Sequence, residues 1–139
     1  MISFKIKSLE ELNEAAAWVL QNIGNNKIVA FYAEMGAGKT TLIKEICKQL
    51  NCVSNVISPT YTIVNEYNTI ENNSLFHFDF YRLSSAKEII DIGFEEYINS
   101  KKYCFIEWPE LAEALLPINC QKINIKVDEK QNRLLTLYV

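Results

Sequence analysis

The sequence predicts an α/β fold, a small three-layer domain with a mixed β-sheet, and three observations carry the prediction. Apolar runs of strand length alternate with segments of helical periodicity. A glycine-bearing turn lies between the first of those runs and the helix after it. Near its end the chain carries two strand-like runs joined by a polar turn. At 139 residues there is enough chain for one sheet with helices on it, and we expect residues 1–139 to form a single domain.

The elements follow in order. Ser8-Leu9-Glu10-Glu11 has a capping-box pattern, and Leu12, Ala15, Ala16, Val19, Leu20 and Ile23 recur at helical spacing, so a first amphipathic helix ends near Gly24-Asn25-Asn26. Ile28 to Tyr32 is an apolar strand. After the turn, Leu42, Ile43, Ile46, Cys47 and Leu50 mark a second helix, closed by Asn51-Cys52. Proline restricts its predecessor and lacks a donor, so Ile57-Ser58-Pro59-Thr60-Tyr61 reads as a loop leading into a strand. Two β-like runs, 61–67 and 75–81, are joined by a link short enough for an antiparallel hairpin. In the second run Phe76, Phe78 and Phe80 share a core face, and Leu75, His77, Asp79 and Tyr81 share a face that looks outward or into a site. Ser85 starts a helix through Ile92, which Gly93 stops, and Phe94 to Asn99 adds a further turn or two. Tyr103 to Glu107 is a buried strand ending in a carboxylate, followed by Trp108-Pro109-Glu110 and a short helix to Leu116. The runs 122–127 and 134–139 form a hairpin around residues 128–132.

Composition excludes several classes. Hydrophobic residues make up 49% and charged residues 22%, a balance unlike that of a disordered or membrane-embedded chain. The N-terminal residues lack the apolar core of a signal peptide and no run approaches membrane-spanning length, so a cytoplasmic protein without a membrane partner is expected. Cys47, Cys52, Cys104 and Cys120 are widely spaced and sit in or beside apolar segments, which reads as reduced, buried thiols. The net charge is −3, with twelve lysines and only two arginines, Arg82 and Arg133. No basic stripe is visible, so DNA is not expected as a partner, and any RNA contact would come mainly from a partner protein.

The turn between strand and helix carries the chemistry. It follows G-x-x-x-x-G-K-[ST] from position 33, with Ala33 in place of the first glycine and Gly36 and Gly38 present. Small residues let the backbone N–H groups of a loop turn onto a phosphate chain, while the next helix points its positive end at it. Glu34, Met35, Gly36, Ala37, Gly38, Lys39, Thr40 and Thr41 are therefore the candidate nucleotide-binding residues. Lys39 would reach the outer phosphates and the Thr40 hydroxyl would ligate Mg²⁺. A strand that runs straight into the loop tolerates Ala33; a positive φ there would cost about 1–2 kcal/mol. This order of strand, phosphate loop and helix predicts a P-loop NTPase-like sandwich.

Hydrolysis also needs metal charge and a group that places water. Glu107 ends an apolar strand where open α/β sheets put ligands, a Walker-B-like shape with Glu for Asp, and would hold Mg²⁺ through water or act as base. The bland alternative is an ordinary strand-end carboxylate. Asp79 is the other candidate acid, its bland alternative being a solvated residue paired with Arg82. Ser58-Pro59-Thr60 has the make-up of a switch loop whose hydroxyl meets a γ-phosphate, although a simple hydroxyl turn before a strand explains it equally well. His77, the only histidine, more often packs than catalyses; Trp108 lies at the rim of the site, on a partner surface, or packed behind the strand.

The phosphate loop, residues 58–67, His77-Phe78-Asp79-Phe80-Tyr81-Arg82-Leu83 and Phe105-Ile106-Glu107-Trp108-Pro109-Glu110 together resemble the TsaE (YjeE) family, in family order over about residues 30 to 117. The resemblance implies a small bacterial P-loop ATPase that joins TsaB and TsaD in making threonylcarbamoyladenosine at position 37 of ANN-decoding tRNAs, with tRNA met through the complex. It implies ATP and Mg²⁺ as cofactors, Lys39 and Thr40 on the phosphates and the metal, and Asp79 and Glu107 as carboxylates of the metal and water site. Thr60 would belong to the switch-like loop and Trp108 would sit beside the nucleotide. The rival reading is a small-molecule kinase, which shares the phosphate loop but usually needs an arginine-bearing lid. A GTPase would need N-K-x-D, and Asn26-Lys27-Ile28-Val29 lacks the aspartate. A binding module without turnover is disfavoured by Lys39, Thr40, Asp79 and Glu107 all being present.

Overall fold

The computed structural model describes residues 1–53 and 63–138. One seven-stranded mixed sheet runs in the order β1-β7-β6-β2-β5-β4-β3. Its strands are β1 (Ile2–Ile6), β2 (Ile28–Ala33), β3 (Val64–Asn68), β4 (Ser74–Asp79), β5 (Cys104–Glu107), β6 (Gln121–Val127) and β7 (Arg133–Tyr138). The helices are α1 (Leu12–Ile23), α2 (Lys39–Gln49), α3 (Ala86–Asp91) and α4 (Phe94–Ile98), with 3₁₀ turns at Leu9–Glu11 and Pro109–Leu115. Among the described residues no helix is long and apolar enough to cross a membrane.

The central strands are apolar on both faces because both faces are covered. Val29 and Phe31 point into a core with Ala15, Ala16 and Val19 of α1 and Leu42, Ile43 and Ile46 of α2. Ile28 and Ala30 point into a second core with Phe76, Phe78, Phe80, Ile89, Phe94 and Ile106. Sheet and two helical layers make the three-layer, P-loop NTPase-like sandwich that the sequence predicts. In the second core Phe78 meets Phe94 and Tyr97 edge to face, at centroid distances of 5.2 and 5.3 Å. All four cysteines are free thiols, three buried and Cys52 half-buried.

Three elements differ from expectation. β1 is an unforeseen strand, paired antiparallel with β7 from Ile2↔Leu137 to Ile6↔Arg133; Ile2, Phe4 and Ile6 alternate with Ser3 and Lys5, a strand pattern only five residues long at a sheet edge, with Ile6 and Phe4 on the core side. The first helix begins with a 3₁₀ turn, and Glu11 reaches back to the N–H of Lys7 (3.0 Å), while Ser8 makes no side-chain cap. Leu75 and His77 are as buried as the phenylalanines opposite them, because β4 lies between β3 and β5 with layers on both sides. The part of the expected switch loop that includes Ser58, Pro59 and Thr60, and the strand start at Tyr61 and Thr62, lie outside the described residues.

The strands that matter for the site are parallel: β2 pairs in parallel with β5 and β6, and β5 with β4. Their C-terminal ends therefore fall together, and Ala33, Asp79, Glu107 and Val127 all end strands at one edge.

Candidate functional site

β2 keeps strand geometry through Ala33, which has no positive φ, so the missing first glycine costs nothing. The turn is made by Gly36 and Gly38, at φ 80° and 92°, where a side chain is strained. Gly38 caps α2, and Lys39, Thr40 and Thr41 form its first turn.

Lys39 folds back across the loop. Its Nζ donates to the Ala33 carbonyl (3.2 Å) and stands 3.6 Å from the centroid of the Trp108 ring. Burial pushes its ammonium pKa down, and the carboxylates of Glu107, Glu110 and Asp79 pull the other way. Trp108 is half-buried and adopts a left-handed conformation (φ 54°, ψ 58°) between β5 and Pro109, with its ring 4.9 Å from that of Tyr81. It thus meets Lys39 on the candidate site and at the same time packs against the second core.

Thr40 Oγ1 donates to Glu107 Oε1 at 3.0 Å, and the other carboxylate oxygen, Oε2, lies 2.5 Å from His77 Nε2. Glu107 is 3% exposed and His77 fully buried, and His77 Nδ1 has no hydrogen-bond partner. The parallel register sets Asp79 opposite Glu107. Burial pushes the Asp79 carboxyl pKa up, against the backbone N–H of Tyr81, which donates to its Oδ1 at 2.9 Å. Among the described residues no ion pair joins Asp79 to Arg82.

These donors fit a divalent cation. Two neighbouring ligands of octahedral Mg²⁺, each about 2.05 Å from the ion, lie about 2.9 Å apart. The hydroxyl of Thr40 and the carboxylate of Glu107 already hold that spacing, and both are the hard oxygens the ion prefers. A cleft of about 830 Å³ opens between Glu34, Met35, Gly36 and Ala37 of the loop, Trp108, and the end of β6, and its lining does not take in Lys39, Thr40 or Glu107. That volume suits a nucleotide-sized ligand.

One residue of the site was missed from sequence. Arg133, at the start of β7, lays its guanidinium against Gly38, where a Cβ would meet Nε at 3.0 Å and Cζ at 3.1 Å. Its Nε is buried without a hydrogen-bond partner. The only signal lies in the pairing: β6 runs parallel to β2, so the hairpin after β6 returns the chain over the phosphate loop.

Comparison with known proteins bears on the family and the fold. The family model described as "Threonylcarbamoyl adenosine biosynthesis protein TsaE" matches residues 6–135. The chain is 35% identical over 134 residues to the tRNA threonylcarbamoyladenosine biosynthesis protein TsaE of Rickettsia prowazekii, covering 96% of this chain and 92% of the relative. It is 37% identical over 112 residues to the protein of the same name from Haemophilus influenzae, covering 79% and 70%. Among solved structures it is similar to YdiB of Bacillus subtilis, with a TM-score of 0.72 and 25% identity over 98% of this chain and 83% of that one. A phosphate loop backed by a strand-end glutamate, on a fold and sequence shared with these proteins, places the chain in the TsaE family, whose proteins act in the biosynthesis of threonylcarbamoyladenosine in tRNA.

Proposed function

We propose that the chain binds ATP with Mg²⁺ at this site and hydrolyses it, and that this turnover serves threonylcarbamoyladenosine formation at position 37 of ANN-decoding tRNAs, in the cytoplasm, together with TsaB and TsaD. The observation that carries the reading is the Thr40 to Glu107 hydrogen bond of 3.0 Å at the head of α2, beside the Lys39 ammonium.

In this mechanism the N–H groups of residues 35–40 hold the phosphate chain and Lys39 exchanges the Ala33 carbonyl and the Trp108 face for phosphate oxygens. Thr40 and Glu107 hold the metal, which supplies charge neutralisation on the phosphate oxygens. His77 fixes the Glu107 carboxylate through its second oxygen, so that one oxygen stays directed at Thr40. Asp79, set beside Glu107, accepts a hydrogen bond from the attacking water. Arg133 lies where negative charge on the phosphates gathers at Gly38.

The test is ATP hydrolysis by the purified chain, alone and with the cognate TsaB and TsaD, with Lys39→Ala as control. Slow turnover that rises with the two proteins and vanishes in the control supports a partner-coupled ATPase. Turnover indifferent to them overturns the coupling and directs attention to small-molecule phosphate acceptors.

A further inference from the structure

The twelve lysines look scattered in the sequence, but three of them meet at the end of the sheet opposite the phosphate loop. Lys27 immediately precedes β2, Lys101 and Lys102 precede β5, and Ser74 begins β4. These parallel strands start side by side, about 20 Å from the loop across the length of β2. Between their starts, the end of α2 and the β3–β4 turn lies a pocket of about 340 Å³ lined by all three lysines and by one acid, Glu71. In a chain of net charge −3 this local excess of cations is against the average.

Each lysine has a distinct anchorage. Lys102 Nζ donates to Ser74 Oγ at 2.8 Å, which leaves that hydroxyl free to donate its own proton. Lys27 Nζ stands 5.3 Å from the centroid of the Tyr103 ring, which carries it over the pocket. Lys101 has φ 65°, a left-handed backbone that L side chains rarely adopt. Asn51, also lining the pocket, shares that conformation at φ 65°. Ammonium groups, a hydroxyl polarised by one of them and side-chain amides around a small concavity make a donor-rich site.

We propose that this pocket binds a phosphate group, independently of the nucleotide site. Phosphate offers the oxygens that three ammonium donors and the Ser74 hydroxyl require. The group can belong to a free phosphate or to the backbone of an RNA strand, and the test separates these sources.

Backbone amide shifts of the full chain are followed by NMR during titration with inorganic phosphate and, separately, with a short oligouridylate. We expect both titrations to move the amides of Ser74, Lys101 and Lys102. In a Lys27→Gln/Lys101→Gln variant, both side chains being exposed, these amides respond at least about tenfold more weakly, while the amides of Gly36 and Gly38 respond to phosphate as before. Tighter binding of the oligouridylate, with a salt slope reduced by about 0.7 per lysine removed, identifies an RNA backbone as the source. Equal affinity per phosphate identifies a free phosphate. If the pocket amides stay still with both probes, or move equally in the variant, the proposal is overturned.

Discussion

Thr40 Oγ1 and Glu107 Oε1, from a helix start and a strand end 67 residues apart in sequence, stand 3.0 Å apart. This pairing makes the two residues a unit, so their substitutions should not add. Glu107→Gln keeps the size of the side chain and a partner for His77 but removes its charge. Nucleotide affinity, read by calorimetry, should stay within a few-fold of the parent, while turnover falls at least about 100-fold. Unchanged turnover would remove Glu107 from the reaction.

His77 is held between Tyr67 and Glu107, with ring centroids of Tyr67 and His77 6.2 Å apart. His77→Ala leaves a buried carboxylate oxygen without its partner and opens a cavity, so unfolding in urea should show a loss of about 1–3 kcal/mol. His77→Gln restores a donor and should recover much of that stability. If His77 positions Glu107, the Mg²⁺ concentration for half-maximal turnover should rise about 10–100-fold in His77→Ala, with little change in the KM for nucleotide, and fall back towards the parent value in His77→Gln.

Gly38 is fixed by two independent constraints, φ 92° and the Arg133 guanidinium. Gly38→Ala should cost at least about 1–2 kcal/mol and displace Arg133. Arg133→Met tests the guanidinium alone: the melting temperature should change little, and nucleotide affinity should fall about tenfold, the worth of one charge-assisted hydrogen bond. Equal affinity in the variant would show that Arg133 only packs against the loop.

Asp79 yields a prediction with a sign. Its folded-state pKa lies above the ordinary carboxylate value because of burial, so the folded protein holds this proton more tightly than the unfolded chain does. Ionised Asp79 therefore detracts from stability, and the loss develops as the pH rises through the window that begins at the unfolded value near 3.8. Asp79→Asn keeps an oxygen for the Tyr81 N–H and should melt higher than the parent at pH 7, with the difference shrinking towards pH 4. The same variant should lose most of its turnover. A lower melting temperature at pH 7 would refute the linkage.

Trp108 offers an optical readout. Its ring holds the Lys39 ammonium at 3.6 Å, a contact worth about 0.5–2 kcal/mol. The second tryptophan, Trp18, packs on Phe4 at 5.7 Å in the α1 layer. Adding a non-hydrolysable ATP analogue with Mg²⁺ should change the emission of a Trp18→Phe variant and leave that of a Trp108→Phe variant unchanged.

Local signals in the sequence were strong where one element carries them. The strand, glycine turn and helix around Lys39 follow from spacing alone, and Gly93, at φ 82°, stops α3 as its position implies. Glu107 was legible because an apolar run ends in an acid. What sequence did not show depends on pairing between distant segments. β1 has the alternation Ile2-Phe4-Ile6 but is only five residues long and needs β7 as its partner, the buried setting of His77 needs the β4–β5 register, and Arg133 reaches Gly38 only because β6 lies next to β2. The gathering of Lys27, Lys101 and Lys102 is of the same kind.

The sheet order has a consequence for how the protein is made. β2 sits between β5 and β6, so the strand that leads into the phosphate loop has neither neighbour until the later part of the chain exists. At roughly 5–20 residues per second, Glu107 leaves the ribosome about 3–14 s after Lys39, and Arg133 later still. During that interval Phe31 and Val29, fully buried at the end, belong to a half-built sheet with apolar surface still uncovered. Grip on the nucleotide comes only with nearly the whole chain, so ligand binding serves as a late report that synthesis and folding are complete.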